Sequence, residues 1–264
     1  MPDIDWLDAL TTVAQHAAAV ALRYYRADLT VEMKSDGSPV TIADRQAEQA
    51  AREWIATYFP HDSIVGEEFG SNIHSTSQRS WFVDPIDGTQ SFIRGVPLWG
   101  TMIGVTEREV PIAGAVCCPA ANELVVAATA RGCWHNGSQC AVSTIDDLSQ
   151  ATILTTADAF RVHPPRRARW QALTDRAAFA RSWGDCYGYV LVATGRAELM
   201  ADDRLSLWAY TPLVPIIREA GGVITDWRGQ SDRFGSDAIA TNRALGETVR
   251  DFLCDKEGVP HAHN

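Results

Sequence analysis

After Pro60 the chain contains six short apolar runs that are rich in β-branched residues and separated by glycine, proline or asparagine. The runs read IVGEEFG, WFVDPIDG, TMIGVTE, IAGAVCCP, ELVVAATA and CWHNG. Short runs of this composition, bounded by turn residues, are typical of β-strands. They predict a mixed sheet as the framework of the first half of the chain.

Helical periodicity precedes these strands. An apolar residue recurs every three or four positions from Ile4 to Tyr25, which predicts one amphipathic helix over residues 3 to 26. A short strand is expected around Val31, and the turn-rich stretch KSDGSP follows it. Thr41 and Asp44 have the spacing of a helix N-cap, so a second helix is expected to run to about residue 58. Its apolar face would carry Ala47, Ala50, Trp54 and Tyr58.

The second half alternates between helical and strand patterns. RVHPPRRAR, residues 161 to 169, is predicted to be a basic surface loop. Helices are expected at GDCYGYVLVATG and TPLVPIIREAGG, strands at AELMADD, VITDW and AIATN, and a last helix to about residue 257. Early helices, a run of strands and then alternating elements indicate an α+β fold of stacked layers, without a Rossmann fingerprint.

Composition limits the partners of such a fold. The 264 residues include 33 Asp and Glu against 23 Lys and Arg, a formal net charge of -10, so a nucleic-acid backbone would be repelled. The start, MPDIDWLDAL, lacks the features of a secretory signal, and no run approaches the roughly 20 apolar residues of a membrane span. We therefore expect a cytoplasmic protein without nucleic-acid or membrane partners. The six cysteines lack C-x-x-C spacing, which favours reduced thiols over zinc ligands or disulfides.

The stretch WFVDPIDGTQSF places two carboxylates at the end of an apolar run. Pro85 favours an extended Asp84, so the strand should persist to Asp84 and then turn. Asp87, Gly88 and Thr89 then open a helical turn whose free backbone N–H groups can bind an anion. Upstream, another apolar strand ends on the acids of VGEEFG. Carboxylates that can bind a cation are thus expected beside backbone N–H groups that can bind an anion. This combination indicates a site for a metal-bound phosphate.

The ligand type favours magnesium. Oxygen ligands suit Mg²⁺, whereas zinc normally takes His or Cys, and no histidine lies in these motifs. The plainer alternative is that Asp84 and Asp87 only cap a helix and shape a turn. Asp44 has a similar alternative as a cap residue alone. Aspartyl-nucleophile phosphatases are disfavoured, because their D-x-D-G-T motif has one residue between the acids where this chain has two.

These motifs resemble a known family. PVTIADRQAE, VGEEFG, WFVDPIDGTQSF and EAGGVITDW are similar, in order and over nearly the whole chain, to the inositol monophosphatase family of Mg²⁺-dependent, lithium-sensitive phosphomonoesterases. The resemblance implies a layered α/β/α/β/α sandwich, a homodimer, two or three Mg²⁺ ions with inhibition by Li⁺, and a small phosphorylated substrate. Independently of the resemblance, the pattern of elements along the chain suggests a loose division near residue 145 within one compact unit. Residues 1–145 would form an α+β subdomain with the metal motifs, and residues 146–264 an α/β subdomain that selects the substrate.

The resemblance also implies a role for each motif residue. Glu67 would bind one metal and help to orient the attacking water, Asp84 would bridge two metals, and Asp87 would hold the second. The Ile86 carbonyl would complete the first metal site. Asp44 and Thr89 would activate the water, and the amides of Gly88 and Thr89 would hold the phosphate. Two Mg²⁺ ions can offset the charge of a phosphate monoester, so no covalent enzyme intermediate is needed.

One position departs from the family. The family carries a further metal-binding aspartate in a Trp-Asp pair, and here the stretch LSLWAYTPLVP has Ala209 at that place. An introduced Asp-to-Ala change or a natural weakening of the second metal would explain it. Another alignment would let Asp202 or Asp203 substitute. We expect this chain to be impaired as an enzyme while partly keeping substrate binding.

Substrate choice is expected to lie in the second half. WGDCYGYVLVATGRAELMADD and DGTQSFIRGVPLWGTMIGV resemble the histidinol-phosphate phosphatase branch, which implies hydrolysis of L-histidinol phosphate in histidine biosynthesis. Asp185 and Asp202 would both face the pocket and favour a cationic substrate. Their plainer alternatives are an acid at a helix start for Asp185 and a surface turn acid for Asp202. Inositol 1-phosphate and sugar or nucleotide bisphosphates remain alternative substrates, and a non-catalytic binding relative is a third possibility.

Overall fold

The computed structural model of the protein describes residues 5–156, 160–231 and 235–254. Seven α-helices occur in these ranges: α1 Trp6–Leu22, α2 Ile42–Tyr58, α3 Thr89–Phe92, α4 Pro164–Thr174, α5 Asp185–Ala193, α6 Leu207–Glu219 and α7 Gly246–Leu253. Ten strands precede residue 141: β1 Glu32–Met33, β2 Pro39–Val40, β3 Ser63–Gly66, β4 Gly70–Asn72, β5 Arg79–Asp87, β6 Gly100–Glu107, β7 Val110–Cys118, β8 Glu123–Ala128, β9 Cys133–His135 and β10 Ser138–Cys140. Five follow: β11 Thr152–Thr155, β12 Phe179–Arg181, β13 Leu199–Asp202, β14 Val223–Thr225 and β15 Ala238–Thr241.

The larger sheet has eight strands in the order β10-β9-β8-β7-β6-β5-β3-β4. All neighbours are antiparallel except β3 and β5, which run parallel. Small alanines on α1 pack with Trp81, Ile103 and Ala115 of the sheet in one apolar cluster. Helix α6 covers the opposite face. Gly114 allows its close approach, because a Cβ there would lie 2.2 Å from the Pro212 carbonyl oxygen.

The smaller sheet has five strands in the order β12-β11-β13-β15-β14. Its Leu154 and Met200 share one apolar cluster with α5, α6 and the larger sheet, whereas Ile153 and Leu199 pack with α4 and α7 on the other side. The layers therefore run α1/α2, large sheet, α5/α6, small sheet, α4/α7. This is the α/β/α/β/α sandwich expected from the sequence, and the α+β class is confirmed.

The boundary between two subdomains stays a prediction. The large sheet takes its strands from residues before 141 and the small sheet from residues after 151, which gives the proposed division near 145 a structural counterpart. The central cluster nevertheless contains residues of both parts. Within the described ranges, no helix is long and apolar enough to cross a membrane.

The first predicted helices are confirmed with two corrections. Helix α1 begins after its N-cap Asp5 and ends at Leu22 instead of residue 26. The predicted apolar face of α2 is correct at Ala47, which is fully buried, and wrong at Tyr58, which is 64% exposed. The charged Glu48 is also fully buried, because its carboxylate binds the 67–69 turn, as described below.

The predicted surface loop at 161–169 is wrong, because α4 begins at Pro164. Two prolines at the start of a helix cost no hydrogen bond, since those N–H groups have no partner within the helix. Arg166 is only 7% exposed and pairs with Asp237 at 2.9 Å, so this positive charge is not solvated. The last helix, α7, is described to Leu253, and its predicted extension to 257 lies outside the described residues.

Candidate active site

The candidate site lies where the parallel strands β3 and β5 end. Gly66 pairs with Val83, so the next residues, Glu67 and Asp84, follow side by side at the point where the pairing of β3 with β5 ends. The backbone N–H of Glu67 donates to the Val83 carbonyl at 3.2 Å and continues the pairing. Parallel pairing therefore brings together two acids that are 17 positions apart.

Asp84 is almost completely buried, at 3% exposure. Its carboxyl contacts that of Glu67, and its Oδ1 has no hydrogen-bond partner among the described residues. Burial, followed by the charges of Glu67 and Asp87, raises the pKa of Asp84 well above its usual value. An unpartnered buried carboxylate oxygen is costly unless a proton or cation neutralises it.

The chain bends between Asp84 and Asp87. Strand β5 was expected to turn at Asp84, but it continues to Asp87 through a register shift against β6. Pro85 cannot donate to the sheet, and its carbonyl accepts a hydrogen bond from Thr101 Oγ1 at 2.8 Å instead. Thr89 Oγ1 donates to the Ile86 carbonyl at 3.0 Å. The bulge thus turns both acids toward the same end of the sheet.

Asp87 joins β5 to α5. Its Oδ2 accepts a hydrogen bond from the backbone N–H of Cys186, in the first turn of α5. Burial raises the pKa of Asp87 to about 6, and the charges of Glu67 and Asp202 add to the rise. The second half of the chain therefore meets the DPIDGT motif at Asp87.

Gly88 begins α3 in the left-handed region, with φ +85°. A Cβ at this position would lie 3.0 Å from the Leu98 carbonyl oxygen and 3.2 Å from Asp185 Oδ2. Glycine is therefore required by both conformation and space. The same contact places the Asp185 carboxylate directly against the predicted phosphate-binding backbone.

Asp185 opens α5 in a strained conformation, with φ +53°. Its N–H donates to Thr156 Oγ1 at 3.0 Å, whereas its carboxylate accepts no hydrogen bond from the described part of the chain. Burial, with the charge of Asp87, raises its pKa to about 7. Helix capping does not account for this side chain, and its substrate role stays a prediction.

Asp202 is held by the protein itself. It is 4% exposed on β13, which contradicts the alternative of a surface turn acid. Its Oδ1 accepts from the Thr156 N–H at 3.2 Å and its Oδ2 from Tyr189 Oη at 3.0 Å. Burial raises the pKa of Asp202 to about 6. These bonds give Asp202 a structural role, and its contact with substrate stays a prediction.

Asp44 has the capping geometry expected from the sequence. Its Oδ2 accepts from the N–H and Oγ1 of Thr41, at 2.8 and 2.7 Å. Burial raises the pKa of Asp44, although the bonds from Thr41 oppose the rise, and the Glu67 charge also raises it. Asp44 is therefore a cap that lies within the electrostatic field of the acids. Activation of water by Asp44 stays a prediction.

Sequence reasoning missed Glu48. Its carboxylate accepts from the N–H groups of Glu68 and Phe69 at 2.6 and 3.2 Å, and Arg52 pairs with it at 2.7 Å. Gly66 leaves room for it, because a Cβ there would clash with Glu48. Glu48 thereby fixes the turn that carries Glu67. The only local signal is the Glu48 to Arg52 spacing of i,i+4 on a helix.

Lys34 was also missed. Its Nζ lies 2.6 Å from both Glu67 Oε1 and Glu68 Oε1, reaching over from the β1–β2 hairpin. Burial opposes the charge, but the hydrogen bonds to both acids raise the pKa of Lys34 above its usual value. No pattern around KSDGSP indicates these long-range contacts.

The acids fit a hard divalent cation. Glu67, Asp84 and Asp87 supply carboxylate oxygens, the Ile86 carbonyl lies between them in the chain, and Asp84 Oδ1 is buried and unpartnered. In the described ranges, no three acid, His or Cys side chains already converge at ligand distance. Glu67 pairs with Lys34, and Asp87 accepts a hydrogen bond from the Cys186 N–H.

Position 209 offers no ligand. Ala209 is 3% exposed in the first turn of α6, and its N–H donates to Ser206 Oγ at 3.4 Å. The two acids proposed as substitutes bind other groups, since Asp203 Oδ2 accepts from the Phe160 N–H at 3.0 Å and Asp202 is bonded as described above. The acid missing at 209 is therefore not replaced by either.

The clustered acids predict that the metal-free protein loses stability as pH rises. Burial raises the pKa of Asp84, and it raises those of Asp87, Asp185, Asp202 and Glu68 to about 6 or 7, so the folded state binds protons that the unfolded state has released. The contribution of these groups to the free energy of unfolding should be largest below about pH 4 and should decrease as the pH rises to about 7. For Asp87 alone, the change from 3.8 to about 6 corresponds to on the order of 3 kcal/mol.

Urea unfolding in a chelator, at pH 5 and at pH 7.5, measures this effect. The Asp87→Asn variant serves as the control, because it should lose part of the pH dependence. A free energy of unfolding that is equal or higher at pH 7.5 would contradict the prediction.

Comparisons with known proteins agree with the fold. The profile of the inositol monophosphatase family matches residues 5–256. A histidinol-phosphatase of Chlorobaculum parvum is 41% identical over 90% of this chain and 92% of that relative. A histidinol-phosphatase of Mycobacterium tuberculosis is 35% identical over 93% and 96%.

Solved structures give the same result. The suppressor protein suhB from Bartonella henselae superposes with a TM-score of 0.87 at 26% identity, covering 96% of this chain and 98% of that one. An inositol monophosphatase from Zymomonas mobilis has a TM-score of 0.81 at 30% identity, covering 94% and 96%.

The fold and site define a phosphoric monoester hydrolase of the layered α/β/α/β/α type. Such an enzyme acts on a small phosphorylated substrate. Within this class, the chain belongs to the inositol monophosphatase family. The family resemblance drawn from the sequence motifs is thereby confirmed.

Proposed function

We propose that the protein is a Mg²⁺-dependent phosphatase whose substrate is L-histidinol phosphate, which it converts to L-histidinol and phosphate. The observation that supports this most is the unpartnered, buried Oδ1 of Asp84, whose carboxylate interacts electrostatically with Glu67 and Asp87, in a member of a phosphatase family. The substrate is suggested by relatives named histidinol-phosphatase at 33 to 41% identity.

The metal roles follow from the positions of the oxygen atoms. Glu67, Asp84 and the Ile86 carbonyl would hold one ion, and Asp84 and Asp87 a second. When bound, magnesium supplies charge neutralisation for the ester and lowers the pKa of a water. We propose two or three ions and inhibition by Li⁺. Lys34 must leave Glu67 for the first ion to bind there.

The remaining residues orient the reactants. The amides of Gly88 and Thr89 would bind the phosphate, because the left-handed Gly88 exposes this backbone at the start of α3. Thr89 and Asp44 would orient the attacking water and accept its proton. The Thr89 hydroxyl at present donates to the Ile86 carbonyl, so it would turn when an ion takes that oxygen. We also propose a homodimer in the cytoplasm, to be measured by light scattering and by cell fractionation.

Asp185 is the best candidate for substrate selection. Its carboxylate has no described hydrogen-bond donor and lies against Gly88, so an ammonium group of a substrate bound through its phosphate would find an acid nearby. Histidinol phosphate carries such a group and inositol 1-phosphate does not. Asp202, which accepts a hydrogen bond from Tyr189 Oη, would add negative electrostatic potential to the substrate pocket.

The Asp185→Asn variant tests this assignment. Asparagine tolerates the left-handed conformation of Asp185, so the fold should be kept. We expect KM for histidinol phosphate to rise by about tenfold, because one charge-assisted contact of about 1.4 kcal/mol is lost. KM for inositol 1-phosphate should not rise. A panel that adds fructose and adenosine bisphosphates measures both, and equal changes for all esters would reject the selection role.

A binding protein of the same family is the second candidate. Ala209 favours it, because a buried methyl group stands where the family has a ligand. If the Ala209→Asp variant hydrolyses none of the four esters and the unchanged chain retains a protein partner, this candidate is preferred.

A further inference from the structure

Two cysteines form a pair outside the candidate active site. Cys133 and Cys140 lie opposite each other on β9 and β10, and their sulfur atoms are 3.5 Å apart. Directly paired residues of antiparallel strands have Cα atoms about 4.5–5.5 Å apart, which lies inside the range for disulfides. A disulfide can therefore form here without a change of strand register.

The turn between the strands keeps the pair in place. Asn136 and Gly137 connect the paired residues His135 and Ser138, and both have positive φ, at +48° and +80°. Two such residues in succession form the type I′ turn that is preferred in tight hairpins, and turn type fixes the register. The Asn136 side chain accepts from the Leu124 N–H at 2.8 Å and attaches the turn to β8.

The two sulfur atoms have different environments. Cys133 is fully buried, whereas Cys140 is partly exposed on β10, an edge strand of the large sheet. The hydrogen bond to Cys133 and the nearby Arg196 guanidinium lower the pKa of the Cys140 thiol, although burial opposes this. The same hydrogen bond and burial raise the pKa of Cys133. Cys140 is thus the thiol that reacts first.

The other cysteines lack this arrangement. Cys117 and Cys118 are neighbours on one strand and point to opposite faces of the sheet. Cys118 and Cys186 approach each other, but both are buried, at 0% and 2% exposure, and an oxidant cannot reach them. Cys254 is partly exposed at the end of α7.

We propose that Cys133 and Cys140 form a reversible thiol–disulfide site that reacts with low-molecular-weight disulfides of the glutathione class. The Cys140 thiolate attacks one sulfur of the small disulfide and releases one small thiol, leaving a mixed disulfide. The Cys133 sulfur then attacks Cys140, and its proton passes to the second departing thiolate. Two protein thiols are oxidised and one small disulfide is reduced to two thiols.

The test is a thiol count after exposure to glutathione disulfide. The native protein is incubated, freed of reagent, denatured and titrated, and we expect its six thiols to fall to four. The intact mass should decrease by two hydrogen atoms with no glutathione retained, and a peptide map should link Cys133 to Cys140. Added dithiothreitol should restore all six free thiols.

Two variants make the result specific. Cys140→Ser should keep its five thiols, whereas Cys254→Ser, which removes a partly exposed thiol outside the pair, should fall from five to three. Six thiols remaining in the native protein, a stable glutathione adduct, a link between two chains, or an equal loss in Cys140→Ser would each overturn the proposal. The peptide map of the native protein tests the proposal even if one of the variants fails to fold.

Discussion

Replacing Ala209 by Asp is expected to raise the rate of histidinol phosphate hydrolysis by ~100-fold at a fixed, subsaturating Mg²⁺ concentration. An acid in the first turn of α6 would add a carboxylate ligand to the second metal, next to Asp87. The helix N-terminus favours a negative charge at this position, which offsets part of the cost of burying a further carboxylate. The measurement is the phosphatase rate as a function of Mg²⁺ concentration, and the midpoint should shift to lower Mg²⁺.

Ala209→Asn is the matched control. It has nearly the volume of aspartate without its charge, so a gain in both variants would indicate better packing around α6 instead of a metal ligand. If Ala209→Asp gives no increase in rate at any Mg²⁺ concentration, position 209 is not the missing ligand position.

Asp84→Asn is expected to have opposite effects on activity and on stability. In the Ala209→Asp background it should lower the rate by ~10³-fold, because the oxygen that would bridge both ions loses its charge. In the absence of metal it should stabilise the fold, because a buried carboxylate that is repelled by Glu67 and Asp87 becomes neutral. In a chelator, the thermal midpoint of the variant should therefore be higher than that of its parent. Adding Mg²⁺ should raise the midpoint of the parent and leave that of the variant unchanged.

Asp62→Asn provides the contrast. Asp62 is 4% exposed, like Asp84, but its carboxylate accepts from Arg79 Nε at 3.0 Å and from Trp81 Nε1 at 3.0 Å. Removing its charge should destabilise the protein and leave the response to Mg²⁺ intact. A destabilised Asp84→Asn protein that still responds to Mg²⁺ would show that Asp84 is an ordinary structural acid.

The sequence predicted the layers because the signals for strands and helices are local. Strand runs ended by acids correctly placed Glu67 directly after β3, whereas β5 continues past Asp84 to Asp87, and the parallel pairing of the two strands brings Glu67 and Asp84 together. Long-range contacts explain what was missed. The run of basic residues after Pro164 was predicted to be solvated because the partner of Arg166, Asp237, lies 71 positions away in the chain.

The supporting residues of the site were hidden for the same reason. Glu48 looks like an ordinary polar residue of an amphipathic helix, and its buried role depends on a turn 20 positions later. Asp185 was identified as a candidate from the family branch, but its contact with Gly88 depends on α5 docking onto the end of β5. Local patterns carry no information about such docking.

The ammonium group of Lys34 has a kinetic consequence for the proposed metal site. Because this ammonium already contacts Glu67 and Glu68, an incoming divalent ion would have to displace it from Glu67. Loading of the site would then be an exchange of one cation for another. Its rate should level off at high Mg²⁺, at the rate with which the Lys34 side chain leaves Glu67.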